Sequence, residues 1–282
     1  MRLFDLPQAK HFCGSPITVG PGSRQSLSRL HASVPGAVRK LDEGTVPFEV
    51  HRANLLDSVS RWLVYALANY RRSLDMLVPV STPWAQVTLY YSSFFAANAV
   101  LGMFGGWLGR LKTNVLIDVE RGVAGSQELT IHRNYKSPSG IAGSHKIFWE
   151  AFYDSTATIS TWAPTRLSTA FSPVNGSIAW QIDERNNVNY DMHLAWAASA
   201  DFHDKFNPAK FKSLSGPLRQ QLETAEQLIR VATYFAKAVG LPATGIEGCG
   251  ATGTRQLCQR RLVTKMPPKL RDQSNLEGLL EA

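Results

Sequence analysis

The chain has 282 residues, 44% of them hydrophobic and 18% charged, and carries a formal net charge of +8. That composition excludes wholesale disorder and suits one elaborated domain or a core with appendages. The positive excess favours polyanionic partners, nucleic acid or an anionic membrane surface, over cationic ones.

The three cysteines, Cys13, Cys249 and Cys258, are odd in number and scattered. They fit neither a disulfide framework nor paired Cys-x-x-Cys zinc ligands, so a reduced cytoplasm is the expected setting. Asp5, Pro7, Gln8 and Lys10 interrupt the first residues, which do not read as a signal peptide. Residues 1–50 carry Pro7, Pro16, Pro21, Pro35 and Pro47 and are expected to form an extended, turn-rich arm or small packing layer.

From His51 to Leu77, Leu55, Val59, Leu63, Ala66 and Tyr70 recur at spacings of three and four, the period of an amphipathic helix. Arg71 and Arg72 fall off that stripe, toward solvent or a partner. "VPVSTPWAQ" then supplies a helix stop and a new start, with Pro83 in the first turn. The second helix runs to about Trp107 without a charge, and the short connection predicts an antiparallel pair. This uncharged run is long enough to cross a bilayer. However, Gln86, Thr88, Tyr90, Tyr91, Ser92, Ser93 and Asn98 would each need a partner in hydrocarbon, which favours the central helix of a bundle over a membrane-associated protein.

"TNVLIDVE" and "QELTIHRN" alternate around a turn, so 113–120 and 127–134 read as a β-hairpin inserted into a helical fold. Helical spacing returns in "SHKIFWEAFYDSTA", the tract from Thr161 to Ile178 reads as irregular, and a helix is expected over Val188–Ala200. "LRQQLETAEQLIRVATYFAKAVG" is the strongest helix of the second half, ended by Gly240 and Pro242. The organisation is thus an arm over 1–50, a helical domain over 51–240 with a hairpin insert near 113–134, and a basic appendage over 241–282.

The paired tyrosines, small residues and phenylalanines of "LYYSSFFAANAVL", with "GSHKIFWEAF" and "ERNNVNYDMH", resemble the HEPN superfamily of helical-bundle proteins over roughly residues 51–240. The resemblance implies a mainly α-helical HEPN-like bundle and a metal-independent endoribonuclease of a prokaryotic defence or toxin system. Arg185 would match the signature arginine, Asn186 the polar residue after it, and His193 the histidine, at a longer spacing than the family's. A homodimer with a shared cleft and a cognate antitoxin or defence partner are implied too. A permanently charged guanidinium can hold phosphate oxygens as charge builds, and an imidazole can move a proton near neutral pH. Tyr190 and Asn189 could contact RNA beside them, and Arg71, Arg72, Arg133 and Lys136 could contact phosphates. The competing reading is a non-catalytic RNA-binding or interaction module. In it Asn186 and Asn187 cap a helix and Arg185 pairs with Asp183, Glu184 or another carboxylate.

No cofactor is expected. "GCGATG" places Gly248, Gly250 and Gly253 in a Gly-x-Gly-x-x-Gly spacing, but it follows a helix instead of a strand and lacks a P-loop ending. Asp201, His203 and Asp204, with His145 approaching, make a metal site conceivable, yet they match no ligand-spacing template, so no metal is assigned.

Overall fold

A computed structural model describes residues 6–20, 26–32, 38–77, 81–110, 113–121, 126–157, 159, 168–190 and 216–241. It is mainly helical, with one four-stranded antiparallel sheet. Helices α1 (Leu6–Gly14) and α2 (Leu27–Ala32) precede strand β1 (Val38–Asp42). Helices α3 (Val46–Asp75) and α4 (Thr82–Met103) follow, then strands β2 (Trp107–Arg110), β3 (Asn114–Arg121) and β4 (Gln127–Arg133). Helix α5 (Ser144–Thr156), two short 3-10 turns (Thr169–Phe171 and Val174–Gly176), and helices α6 (Trp180–Tyr190) and α7 (Gly216–Ala238) complete the described elements. The expected helix over Val188–Ala200 instead begins at Trp180, and 191–200 lie outside the described residues.

Helix α3 starts before His51 because Thr45 caps it. The Thr45 hydroxyl oxygen accepts from the Phe48 amide and donates to the Asp42 carbonyl, and Pro47 occupies the first turn, where its missing N–H costs nothing. Helix α4 packs against α3, α6 and α7 and touches α1 and β2, which accounts for a helix that carries no charge. Its polar groups are largely served from within. The Ser92 hydroxyl donates to the Ala66 carbonyl at 2.7 Å across the α3–α4 seam, and Asn98 and Thr88 donate to carbonyls one turn back. Among the described residues no helix is long and apolar enough to cross a membrane.

The α3–α4 seam is tight at Gly102. A Cβ there would stand 2.4 Å from Val59 Cγ2 and 3.2 Å from the Trp62 ring. Just beyond, Gly105 (φ 81°) ends α4. Its N–H donates to the Gly102 carbonyl and that of Gly106 to the Leu101 carbonyl, a pair of bonds that closes the last turn and needs a left-handed residue. Gly240 (φ 65°) ends α7 by the same pair of bonds.

The expected hairpin is present as β3 and β4, but not as a separate insertion. The strand order is β1-β4-β3-β2, so the N-terminal segment supplies one edge and the chain just after α4 the other. β1 escaped notice because "VRKLD" is short, charged and embedded among prolines. β2 takes its first three residues from the end of the uncharged run, which reads as a continuation of the helix, and closes on Arg110. Nor is the N-terminal segment simply extended. Ala9, Phe12 and Cys13 of α1 are fully buried, the Cys13 thiol donates to the Met103 carbonyl, and the Gln8 amide donates to the Val119 carbonyl.

Arg52 fastens this layer. It is 2% exposed; its guanidinium donates to the Phe12 and Ser15 carbonyls at 3.1 and 2.8 Å and pairs with Glu49 at 2.7 Å. A buried guanidinium is tolerated only when its donors are met in this way.

Candidate functional site

Helix α6 lies against α4 through a face that contains Gln181, Ile182 and Val188, all buried. At about 100° per residue, Arg185 falls at the centre of that face, not at a helix start. Asn186 and Asn187 are likewise mid-helix and cap nothing, which corrects the competing reading of the sequence. An aromatic helix surface receives the arginine: Arg185 Cζ sits 4.9 Å from the centre of the Tyr90 ring, within cation–π range. Arg185 Nη2 donates to Asn186 Oδ1 at 2.6 Å and Nε to the same oxygen at 3.2 Å. Among the described residues it pairs with no carboxylate; the neighbouring Asp183 binds Lys146 instead, at 3.1 Å. The expected pairing of Arg185 with Asp183 or Glu184 is therefore not made. Burial, then the Asp183 charge, raises the Glu184 carboxyl above its usual range.

The second imidazole of interest arrives from α5. His145 stands in the first turn of that helix, after Gly143, whose positive φ of 97° starts the turn without a side-chain cap. Its Nδ1 lies 2.6 Å from Tyr90 Oη, and its ring packs 4.9 Å from Phe94, centre to centre. Lys146, the next residue, ties α5 to α6 through Asp183. Tyr90 thus meets both side chains, Arg185 at the face of its ring and His145 at its hydroxyl. Burial raises the Tyr90 phenol, which keeps its proton at neutral pH. Burial, assisted by the Arg185 charge, lowers His145 from the ordinary imidazole value, so the ring is neutral at pH 7.

The remaining expected positions are dispersed. Asn189 and Tyr190 are exposed, and Tyr190 is displaced from Arg185 by about 140° around α6, at 3.6 residues per turn. Arg71 is largely buried and pairs with Asp75 at 3.1 Å, whereas Arg72, the next residue, is exposed. Arg133 lies half-buried in β4, and Lys136 is exposed in the loop beyond it. His193, the Asp201–His203–Asp204 group, the "GCGATG" stretch and the basic appendage lie outside the described residues. Among the described residues no group of three or more His, Cys, Asp or Glu side chains is placed to hold a metal ion.

The reading of the sequence weighed His145 only as a metal ligand and did not anticipate its contact with Tyr90. A signal was present, since "GSHKIFWEAF" puts the histidine at a helix start, but pairing it with Tyr90 spans 55 residues of chain. Two open clefts occur elsewhere. One of about 380 Å³ lies between α2 and α3, lined by Asp57, Arg61, Trp62 and Trp107; the other, of about 410 Å³, lies by Ser168 and Glu223. Neither is lined by Arg185. Compared with known proteins, the chain matches no protein-family model, no curated protein and no solved structure.

Proposed function

We propose that this chain is a HEPN-like, metal-independent endoribonuclease that acts as a homodimer in a prokaryotic defence or toxin system. The observation that carries the reading is the state of Arg185: a half-buried guanidinium laid on an aromatic ring, with no carboxylate partner among the described residues. A structural arginine at a helix–helix junction is normally neutralised by an acid, because an uncompensated buried charge is costly. One that is not so paired, in a chain of net charge +8, suits an incoming phosphate.

In the reaction, the ribose 2′-oxygen forms a bond to the adjacent phosphorus while the bond to the 5′-oxygen breaks. The proton of the 2′-hydroxyl leaves to a base, another is delivered to the departing 5′-oxygen, and a cyclic phosphate remains. Arg185 stabilises the charge that builds on the non-bridging oxygens, Asn186 holds the guanidinium, and His193 moves a proton. Tyr65 on α3, Trp84 on α4 and Tyr190 on α6 are exposed rings that offer stacking or dimer contacts. A non-catalytic RNA-binding module is the second reading, favoured by the two Arg185 N–H groups already given to Asn186.

The test is incubation of the purified protein with mixed RNA in the presence of a metal chelator, beside Arg185→Ala. Cleavage is expected to fall by about 100-fold or more in the variant, the effect of losing one donor to developing negative charge. Cleavage that survives the substitution removes the site. Binding that depends on Arg185 without cleavage selects the second reading.

A further inference from the structure

We infer that His145, held by Tyr90, is a second phosphate-binding group beside Arg185, and that it acts through a neutral N–H at Nε2. The inference rests on the reading of Arg185 as a phosphate contact and extends it to a residue on another helix.

A neutral imidazole carries one proton, and its other nitrogen accepts. Tyr90 is fully buried, and its hydroxyl lies 2.6 Å from His145 Nδ1; the Trp149 indole that also faces it is a donor only and cannot take the phenol proton. A buried phenol that keeps its proton donates it to the acceptor within reach, because an unused buried O–H is costly. Nδ1 is then the accepting nitrogen, and the imidazole proton resides on Nε2. The ring is only partly buried, Nε2 is the nitrogen not engaged by Tyr90, and the Arg185 charge is close enough to act on the imidazole.

Two donors anchored on one tyrosine form a receptor for two non-bridging oxygens of a phosphodiester. The guanidinium supplies charge and the imidazole supplies direction. The start of α5 reinforces them, since no side chain caps it and its backbone N–H groups favour an anion. The Lys146–Asp183 bridge keeps α5 and α6, and with them the two donors, in register. Tyr90 itself is a positioning residue: it fixes which nitrogen of His145 carries the proton.

The experiment uses the full chain, labelled with 15N at histidine, and a short single-stranded oligoribonucleotide. In the free protein the His145 nitrogens are expected to report a protonated Nε2 and an unprotonated Nδ1. Tyr90→Phe should convert this to a mixture of tautomers, and added RNA should move the Nε2 signal. His145→Ala should weaken RNA binding roughly tenfold, the scale of one hydrogen bond to a charged group. His145→Gln, whose amide N–H reaches the place of Nε2, should stay within about threefold of wild type, because it restores a donor of similar strength there.

A protonated Nδ1 in the wild-type chain overturns the inference. So does RNA binding that Arg185→Ala abolishes and His145→Ala leaves intact, an outcome that spares the reading of Arg185. Absence of RNA binding by the wild-type chain overturns both.

Discussion

A tyrosine ring under a guanidinium does something a carboxylate cannot: it holds the group in place without cancelling its charge. Burial, and after it the uncancelled Arg185 charge, raises the cost of protonating His145, so it takes up a proton less readily in the folded protein than in the unfolded chain. The sign of the resulting pH dependence follows directly. An unfolded histidine titrates around its ordinary value of 6.5, so below that pH the unfolded state binds the extra proton first. The stability contributed by a neutral His145 is fully present above pH 6.5 and is lost as pH falls from there through the lowered native value. Urea midpoints measured at pH 7.5 and 5.5 should therefore drop further for the wild type than for His145→Gln. Equal drops would mean that His145 is not held neutral by its surroundings.

At the scale of the elements, two contacts decide whether the site exists at all. The α3–α4 seam sets where α4 presents Tyr90, and Gly102 lets the two helices approach that closely. Gly102→Ala pushes a methyl group into Val59, a stiff side chain in a filled core, and should destabilise the fold by about 1–3 kcal/mol, read from the shift in denaturant midpoint. The second contact is Arg52, which gathers the carbonyls of Phe12 and Ser15. Arg52→Ala leaves Glu49 without its partner and those carbonyls without a donor, at a cost of about 3 kcal/mol. It should also expose Cys13, now fully buried, to thiol reagents. Mass mapping of the labelled peptide should find the Cys13 reaction faster in the variant; an unchanged rate would show that α1 is held by other means.

For the whole molecule, what the sequence revealed divides along a physical line. Helix α3, the β3–β4 hairpin and α7 were legible because each carries its period locally, at 3.6 or 2 residues, and α4 because a helix-start signal opens a long uncharged run. What was not legible depends on partners distant in the chain. β1 takes its place from β4, pairing Val38 with His132, and no alternation within "VRKLD" announces it. Arg185 was recognised as a candidate from residue type, but its seat on Tyr90 and the appearance of His145 in the same cluster arise only when α4, α5 and α6 are brought together. Helix α6 starts earlier than expected because "IAWQIDERNN" crowds its apolar residues at one end and has no strong cap, so burial of Gln181 and Ile182 against α4 decides its helical state.

The edge position of β1 has a consequence for synthesis on the ribosome. Its docking surface is completed only by residues near 132, and α1 must wait for Met103 and Val119. At a translation rate of about 5–20 residues per second, α1 and β1 remain undocked for roughly ten seconds after they are made. During that interval Phe12 and Cys13 are open to chaperones and proteases, and they gain protection only once the chain through β4 has followed them.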